Sequence, residues 1–234
     1  MPAIYPIGGG KGGVGKSFIA ANLGAAMATG GRRVVLVDLD VGASNLHTLL
    51  GIKSPGKGLS GFLNNPTHRL DQAAVSTHIA GLHLISSCRC TVDVANLVYA
   101  QKNKLIKAVR SLPYDAIIID LGGGTNYNTI DFFTAADSGV VICTPEPTAI
   151  ENSFRFIKAV RSRRLKQIIR QGPFNDKVKS VVLAKAGGGL GFNAALRCVE
   201  EYDPDRLREL KQRLVDFRFH IVINQHRKST DPTL

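Results

Sequence analysis

The sequence is poor in cysteine, acidic residues and long apolar stretches, and each shortage removes a class of protein. Its four cysteines stand at 88, 90, 143 and 198, with no C-x-x-C pair among them. That spacing excludes a disulfide-built mini-protein and the usual sulfur-rich zinc or redox site, and it suits reduced thiols in a cytosol. Cys88-Arg89-Cys90 offers two thiols where such a metal site needs four ligands, so metal held through sulfur is not expected there. Cys143 falls inside an apolar run and reads as core. No apolar run approaches the roughly 18 residues that span a bilayer. The opening MPAIYPIGGGKGG breaks into glycine before the apolar region of a signal peptide can form, so a soluble, cytoplasmic protein is expected. Internal repeats and low-complexity tracts are absent as well.

What is present is a chain of 234 residues, 44% apolar and 21% charged, enough to bury one sizeable core and unlike a disordered tail or a collagen-like fibre. Lys and Arg number 30 against 18 Asp and Glu, and the net charge of +12 predicts attraction to phosphate-rich partners. Short β-branched runs recur at Ala3–Ile7, Arg33–Asp38, Leu82–Ser86, Asp115–Asp120, Gly139–Thr144 and Phe219–Asn224. Helical patterns lie between them at Lys16–Ala28, Ala100–Leu112, Thr129–Ala136, Ala149–Arg170 and Pro204–Phe217, the last with Asp203 as its N-cap. This alternation is the rhythm of a parallel sheet. Runs such as VVLVD and AIIID are apolar at consecutive positions, as strands covered on both faces require. The expected fold is therefore α/β, a doubly wound, mostly parallel sheet with helices on both faces, forming a single domain over residues 1–234. Gly51–His68, rich in Gly, Ser, Pro and Asn, and the glycine run Gly187–Gly191 look unlike simple connections.

Gly10-Lys11-Gly12-Gly13-Val14-Gly15-Lys16-Ser17 fits G-x-x-x-x-G-K-[ST] between a strand and a helix, the context a phosphate-binding loop needs. Glycines let the backbone turn tightly and bring the N–H groups of Gly12, Gly13, Val14 and Gly15 against phosphate oxygens. The helix that follows adds the positive end of its dipole, Lys16 reaches the terminal phosphates, and Ser17 offers a hydroxyl to Mg²⁺. Asp38, Asp40 and Asp120 each end a strand, which in this architecture sets them at the carboxyl edge beside the loop. Carboxylates there hold the waters around Mg²⁺ or orient an attacking water.

Lys11 goes beyond the generic pattern. K-G-G-V-G-K-S resembles the deviant Walker A motif of the MinD/ParA family of P-loop ATPases, in which the extra lysine contacts nucleotide across a dimer interface. The segment Val37-Asp38-Leu39-Asp40-Val41-Gly42-Ala43-Ser44-Asn45-Leu46 is similar to that family's switch I, and Ile117-Ile118-Ile119-Asp120-Leu121-Gly122-Gly123-Gly124 to its Walker B and switch II. Thr144-Pro145-Glu146-Pro147-Thr148 resembles the T-P-E-P-T turn of its MinD and FlhG (FleN) branch. The resemblance covers residues 1–160 closely and Ile221–Asn224 again. It implies a P-loop NTPase fold of MinD type, ATP or ADP with Mg²⁺ as ligands, Asp40 polarising the attacking water, and Asp38 and Asp120 binding Mg²⁺ through its hydration shell. Lys11 would supply charge in the partner's site, the backbone N–H of Phe18 would serve the α-phosphate, and the Asn224 amide would meet the adenine edge. Family members continue past this asparagine, so either the chain is cut short after Leu234 or its adenine pocket is completed differently.

Between Asn152 and Lys185 stand ten basic residues and one acid, a net +9 of the +12. They are Arg155, Lys158, Arg161, Arg163, Arg164, Lys166, Arg170, Lys177, Lys179 and Lys185, and the apolar spacing of Phe156, Ile157, Val160, Leu165, Ile168 and Ile169 predicts that the charges share a solvent-facing side. Such a side is either simply solvated or a docking surface for an anionic membrane, non-specific DNA or a protein partner. Aromatics for stacking on single-stranded bases are scarce around it. Residues 177–217 form a longer connection than MinD-like proteins use and read as a helical insertion before the Asn224 strand. The reading as a whole is an ATP-hydrolysing switch that dimerises on ATP and regulates cellular positioning or flagellar number. A ParA-like partition ATPase and a non-hydrolysing nucleotide-binding regulator are the rivals, and attachment at a membrane or nucleoid stays open.

Overall fold

The computed structural model describes residues 2–41, 43–65, 67–90, 97–184 and 190–226. Gly42, Lys185 and Gly187–Gly189, which figure in the sequence reading, lie outside the described residues. The strands are β1 Ala3–Gly8, β2 Val34–Asp38, β3 Val75–Ser76, β4 Leu82–Ile85, β5 Ala116–Asp120, β6 Ser138–Cys143 and β7 Arg218–Ile223. They form one sheet in the order β3-β4-β2-β5-β1-β6-β7, parallel throughout except for β3 against β4. The helices are α1 Lys16–Thr29, α2 Leu46–Leu49, α3 Gly58–Asn64, α4 Tyr99–Arg110, α5 Tyr127–Phe133, α6 Pro147–Gln171, α7 Asp176–Leu183, α8 Phe192–Tyr202 and α9 Pro204–Val215.

Alternation of side chains explains why the sheet is covered twice. All five residues of β2 and of β5 are buried, and neighbours along a strand point to opposite faces. Val35, Val37, Ile117 and Ile119 enter a core with Leu105 of α4, Phe133 of α5 and Phe156 of α6. Val34, Leu36 and Ile118 enter the other, closed by Ala20, Ala21 and Ala28 of α1. The doubly wound, mostly parallel sheet expected from the sequence is thus what the chain forms. At the edge, β7 leaves Ile221 and Ile223 exposed.

Some elements differ from the sequence expectation. Within the Gly51–His68 stretch, seven residues form α3, because Leu59 and Phe62 find a core to enter. The two-residue β3 carries too little periodicity to be seen in sequence. Helix α5 starts two residues before Thr129, since the Asn126 side chain caps it by accepting from Thr129 N at 2.9 Å. Asp203 precedes α9, but its carboxylate accepts instead from Asn175 N at 2.9 Å and so ties the entry of α7 to that of α9.

Helix α6 has 25 residues, about 37 Å at the usual rise, and serves two cores in succession. Phe156 and Val160 pack on the sheet, whereas Leu165, Ile168 and Ile169 join Val178, Val182, Cys198, Val199 and Leu210 in a separate cluster built with α7, α8 and α9. Helices α7, α8 and α9 therefore form a helical lobe around the far end of α6. Among the described residues no helix is long and apolar enough to cross a membrane.

Candidate functional site

The loop between β1 and α1 is held from two sides by backbone contacts that side chains would prevent. Gly15 caps α1 at φ +89°, a conformation that glycine adopts without strain, and a Cβ there would fall 2.2 Å from Asn224 Nδ2. Asn224 at the end of β7 donates through Nδ2 to the Val14 carbonyl at 2.9 Å, and its backbone N donates to Cys143 O at 2.8 Å. The residue expected at an adenine edge is therefore a strap on the phosphate loop in this structure. Gln225 adds a longer bond to Gly13 O at 3.4 Å. On the other side, Gly123 lies so close that a Cβ would meet Gly12 N at 2.9 Å and Lys11 C and O at 3.1 Å. Gly124 N completes this seam by donating to Gly9 O at 3.0 Å.

No side chain caps the first turn of α1, where Ser17 and Phe18 follow the loop, so its positive end is directed at whatever the loop binds. Lys16 is 7% exposed, and its Nζ donates to Lys11 O at 3.3 Å. Burial lowers its pKa, opposed by the Asp120 and Asp40 carboxylates. A desolvated ammonium beside an uncapped helix terminus attracts a phosphate strongly. Lys11 behaves differently. Its exposed ammonium pairs with Glu146 at 2.6 Å and donates to Thr148 Oγ1 at 3.3 Å, both within the turn that opens α6.

The three aspartates are adjacent but not equivalent. Asp38 and Asp120 are cross-strand partners in β2 and β5. Asp38 is fully buried and already supplied with donors. Its Oδ1 accepts from Asp40 N at 3.1 Å and Ser87 Oγ at 3.4 Å, and its Oδ2 from Ser44 Oγ at 2.6 Å and Leu46 N at 3.4 Å. Burial raises its pKa while these bonds hold it back, so Asp38 organises the segment from Asp40 to Leu46. Asp120 is 1% exposed, and neither carboxylate oxygen has a hydrogen-bond partner. Burial pushes its pKa up to about 7, with the Ser17 hydroxyl and Lys16 opposing and Asp38 and Asp40 adding to the rise. Two open carboxylate oxygens near a serine hydroxyl make a donor set that fits a hard divalent cation such as Mg²⁺. Asp40, half-buried, faces Gly122 and borders a cavity of about 150 Å³ with Leu39, Val41, Asn126 and Asn128.

This arrangement, a glycine loop leading from a strand into a helix with lysine, serine and strand-end carboxylates converging on it, has a counterpart in family comparison. Residues 2–169 match the ParA family model, described as NUBPL iron-transfer P-loop NTPase. The chain belongs to the ParA family. Relatives include the antiactivator FleN of Pseudomonas aeruginosa, 29% identical over 66% of this chain and 55% of its own length. The septum site-determining protein MinD of Buchnera aphidicola is 27% identical over 70% of this chain and 60% of its own length. This ParA-family chain spans about half the length of the curated relatives it matches. Among solved structures, MinD of Pyrococcus horikoshii complexed with Mg-ADP superposes with a TM-score of 0.61 at 24% identity, covering 70% of this chain and 66% of that one. A plasmid partition protein from Borrelia burgdorferi gives 0.61 at 18% identity over 99% of this chain and 83% of its own. At these identities the likeness is one of fold.

Five cations of the basic segment of this ParA-family member, Arg155, Lys158, Arg161, Arg170 and Lys177, are exposed, and several of its members also touch other side chains. Arg155 pairs with Glu151, Arg161 lies over the Phe192 ring at 4.8 Å, Arg164 over Phe217 at 5.0 Å, and Lys177 over Tyr202 at 3.7 Å. Arg163 is joined to buried Asp131. Arg163, Arg164, Lys166 and Lys179 are half-buried. Tertiary packing thus sets Arg163 against a buried acid, whereas the ring contacts leave the charges of Arg161 and Lys177 on exposed side chains. The Asp131 network went unread in the sequence, because its members come from three separate helices.

Proposed function

We propose that the chain is a Mg²⁺-dependent ATPase acting as a molecular switch, with two chains meeting across ATP and separating after hydrolysis. The observation that carries this reading is Asp120, a buried carboxylate with both oxygens open, set beside Ser17 and Lys16 under an uncapped helix terminus. A structural acid would have found donors, as Asp38 has. Mg²⁺ when bound would supply positive charge against the negative charge of the phosphates. Ser17 and Asp120 would hold it directly or through water, with Asp38 behind them as the anchor of the switch I segment. The loop N–H groups and Lys16 bind and orient the phosphates, and the backbone N–H of Phe18 faces the α-phosphate. Asp40, half-buried at its cavity, polarises the attacking water. Lys11 would leave Glu146 to place its charge on the nucleotide of a second chain. Asn224, seated on Val14, would present the rest of its amide to the base.

The relatives' names point to a regulatory output of the septum-site-determining or antiactivator kind, in cellular positioning or flagellar number. Helices α7, α8 and α9 would be an added lobe within one ATPase domain, available to a protein partner. DNA or an anionic membrane as the target of the basic segment is a second reading, carried by exposed Lys158 and Arg170. The test pairs two variants. Lys16→Ala should lose binding of a fluorescent ADP analogue, and Asp40→Ala should keep binding while losing phosphate release. Normal phosphate release by Asp40→Ala would sink the assignment.

A further inference from the structure

Asp131 on α5 is buried between two cations. The side chains of Lys102 on α4 and Asp131 are 8% and 5% exposed and ion-paired, and Arg163 on α6 pairs with the same carboxylate, its Nη2 donating to Oδ2 at 2.9 Å. Gln167 of α6 donates to Thr134 Oγ1 at 3.0 Å and fixes the far end of α5. Arg163 alone gives Asp131 a two-pronged partner, so a second buried ammonium is costly and unneeded for neutralising one acid. The extra reach of that ammonium is informative. Lys102 Nζ also donates to Asn128 Oδ1 at 3.4 Å, and Asn128 borders the cavity that Asp40 borders. Helix α5 follows directly on the glycines packed against the phosphate loop, so whatever holds its first turn also holds switch II.

We infer that Lys102 is a positioning residue for turnover, holding Asn128 and the first turn of α5 at the wall of the cavity that Asp40 also borders, where the attacking water must be ordered. The inference rests on the ATPase reading above. An amide held by a buried cation keeps one geometry, and a 1 Å misplacement beside a reacting group is enough for large rate losses.

The test measures nucleotide affinity, kcat and KM for ATP in Lys102→Met, Asn128→Ala, the double variant and Lys102→Arg, with melting temperature recorded alongside. Lys102→Met and Asn128→Ala should each lower kcat about tenfold or more, with KM and ADP affinity within about twofold of the unaltered protein. The double variant should be no slower than the slower single, and Lys102→Arg should recover most of the rate. Asn128→Ala leaves the Lys102–Asp131 pair intact, so it remains informative if Lys102→Met fails to fold. An unchanged kcat in Asn128→Ala, or losses that multiply in the double variant, would overturn the inference. Absence of any turnover in the unaltered protein would instead overturn the ATPase reading and the inference with it.

Discussion

Replacing Gly123 by alanine tests whether the seam between switch II and the phosphate loop controls nucleotide binding. The added Cβ would sit 2.9 Å from Gly12 N and 3.1 Å from Lys11 C and O, all backbone atoms that no rotamer change can move aside. Ordinary contact needs about 3.4 Å or more, so the two backbones must part by roughly 0.5 Å, an overpacking strain of about 1–3 kcal/mol. If the phosphate loop yields, that energy comes out of nucleotide affinity, and ADP should bind about 5- to 150-fold more weakly. If the segment around Gly123 yields, the same energy appears as a lower unfolding free energy. Titration with a fluorescent ADP analogue reads the first, and urea unfolding without nucleotide reads the second. Unchanged values in both assays would refute the packing geometry on which the site rests.

Asp120→Asn should stabilise the nucleotide-free protein at high pH. Because the folded pKa is about 7 against an ordinary 3.8, the folded state binds the extra proton between those values, and stability falls as pH rises through that window. The asparagine variant should therefore have a higher unfolding free energy at pH 8, by no more than about 4 kcal/mol, and converge with the unaltered protein near pH 4. A difference that does not depend on pH would contradict the buried, uncompensated carboxylate. Phe133 is fully buried, edge-on to Phe156 with centroids 4.9 Å apart, so Phe133→Ala should cost about 3–5 kcal/mol in urea unfolding. A cost under about 1 kcal/mol would mean that the core closes over the gap. If exposed cations bind duplex DNA, Lys158→Glu with Arg170→Glu should weaken retention and flatten its dependence on salt. Equal salt slopes before and after would remove these residues from any DNA surface.

Sheet rhythm and phosphate loop were legible because both depend on near neighbours in the chain. The four consecutive apolar residues that open VVLVD and AIIID predicted strands buried on two faces, and each became one. The G-K-S sequence between a strand and a helix predicted the loop, and β1 and α1 flank it. Helix α3 was hidden because its turn is stabilised by a tertiary core that Leu59 and Phe62 enter, and its glycines argue locally for a loop. The charge pattern of α6 was legible in part, since Arg155, Lys158, Arg161 and Arg170 are exposed as expected. Arg163 and Arg164 also read as solvent-facing until the carboxylate of Asp131 and the ring of Phe217 are brought against them from other elements.

The sequence by itself determined which residues gather at the carboxyl edge of the sheet, since that follows from strand ends and one motif. Only the tertiary structure decided what each of them does there. Asp38 and Asp120 look alike in sequence, yet Ser44 and Ser87 saturate one carboxylate while the other is left open. Lys11 meets Glu146 across 135 residues of chain, and Asn224 meets Val14 across 210. Contacts at such separations carry no periodic signature, because they are set by how the sheet orders its strands and not by the neighbours of any one residue.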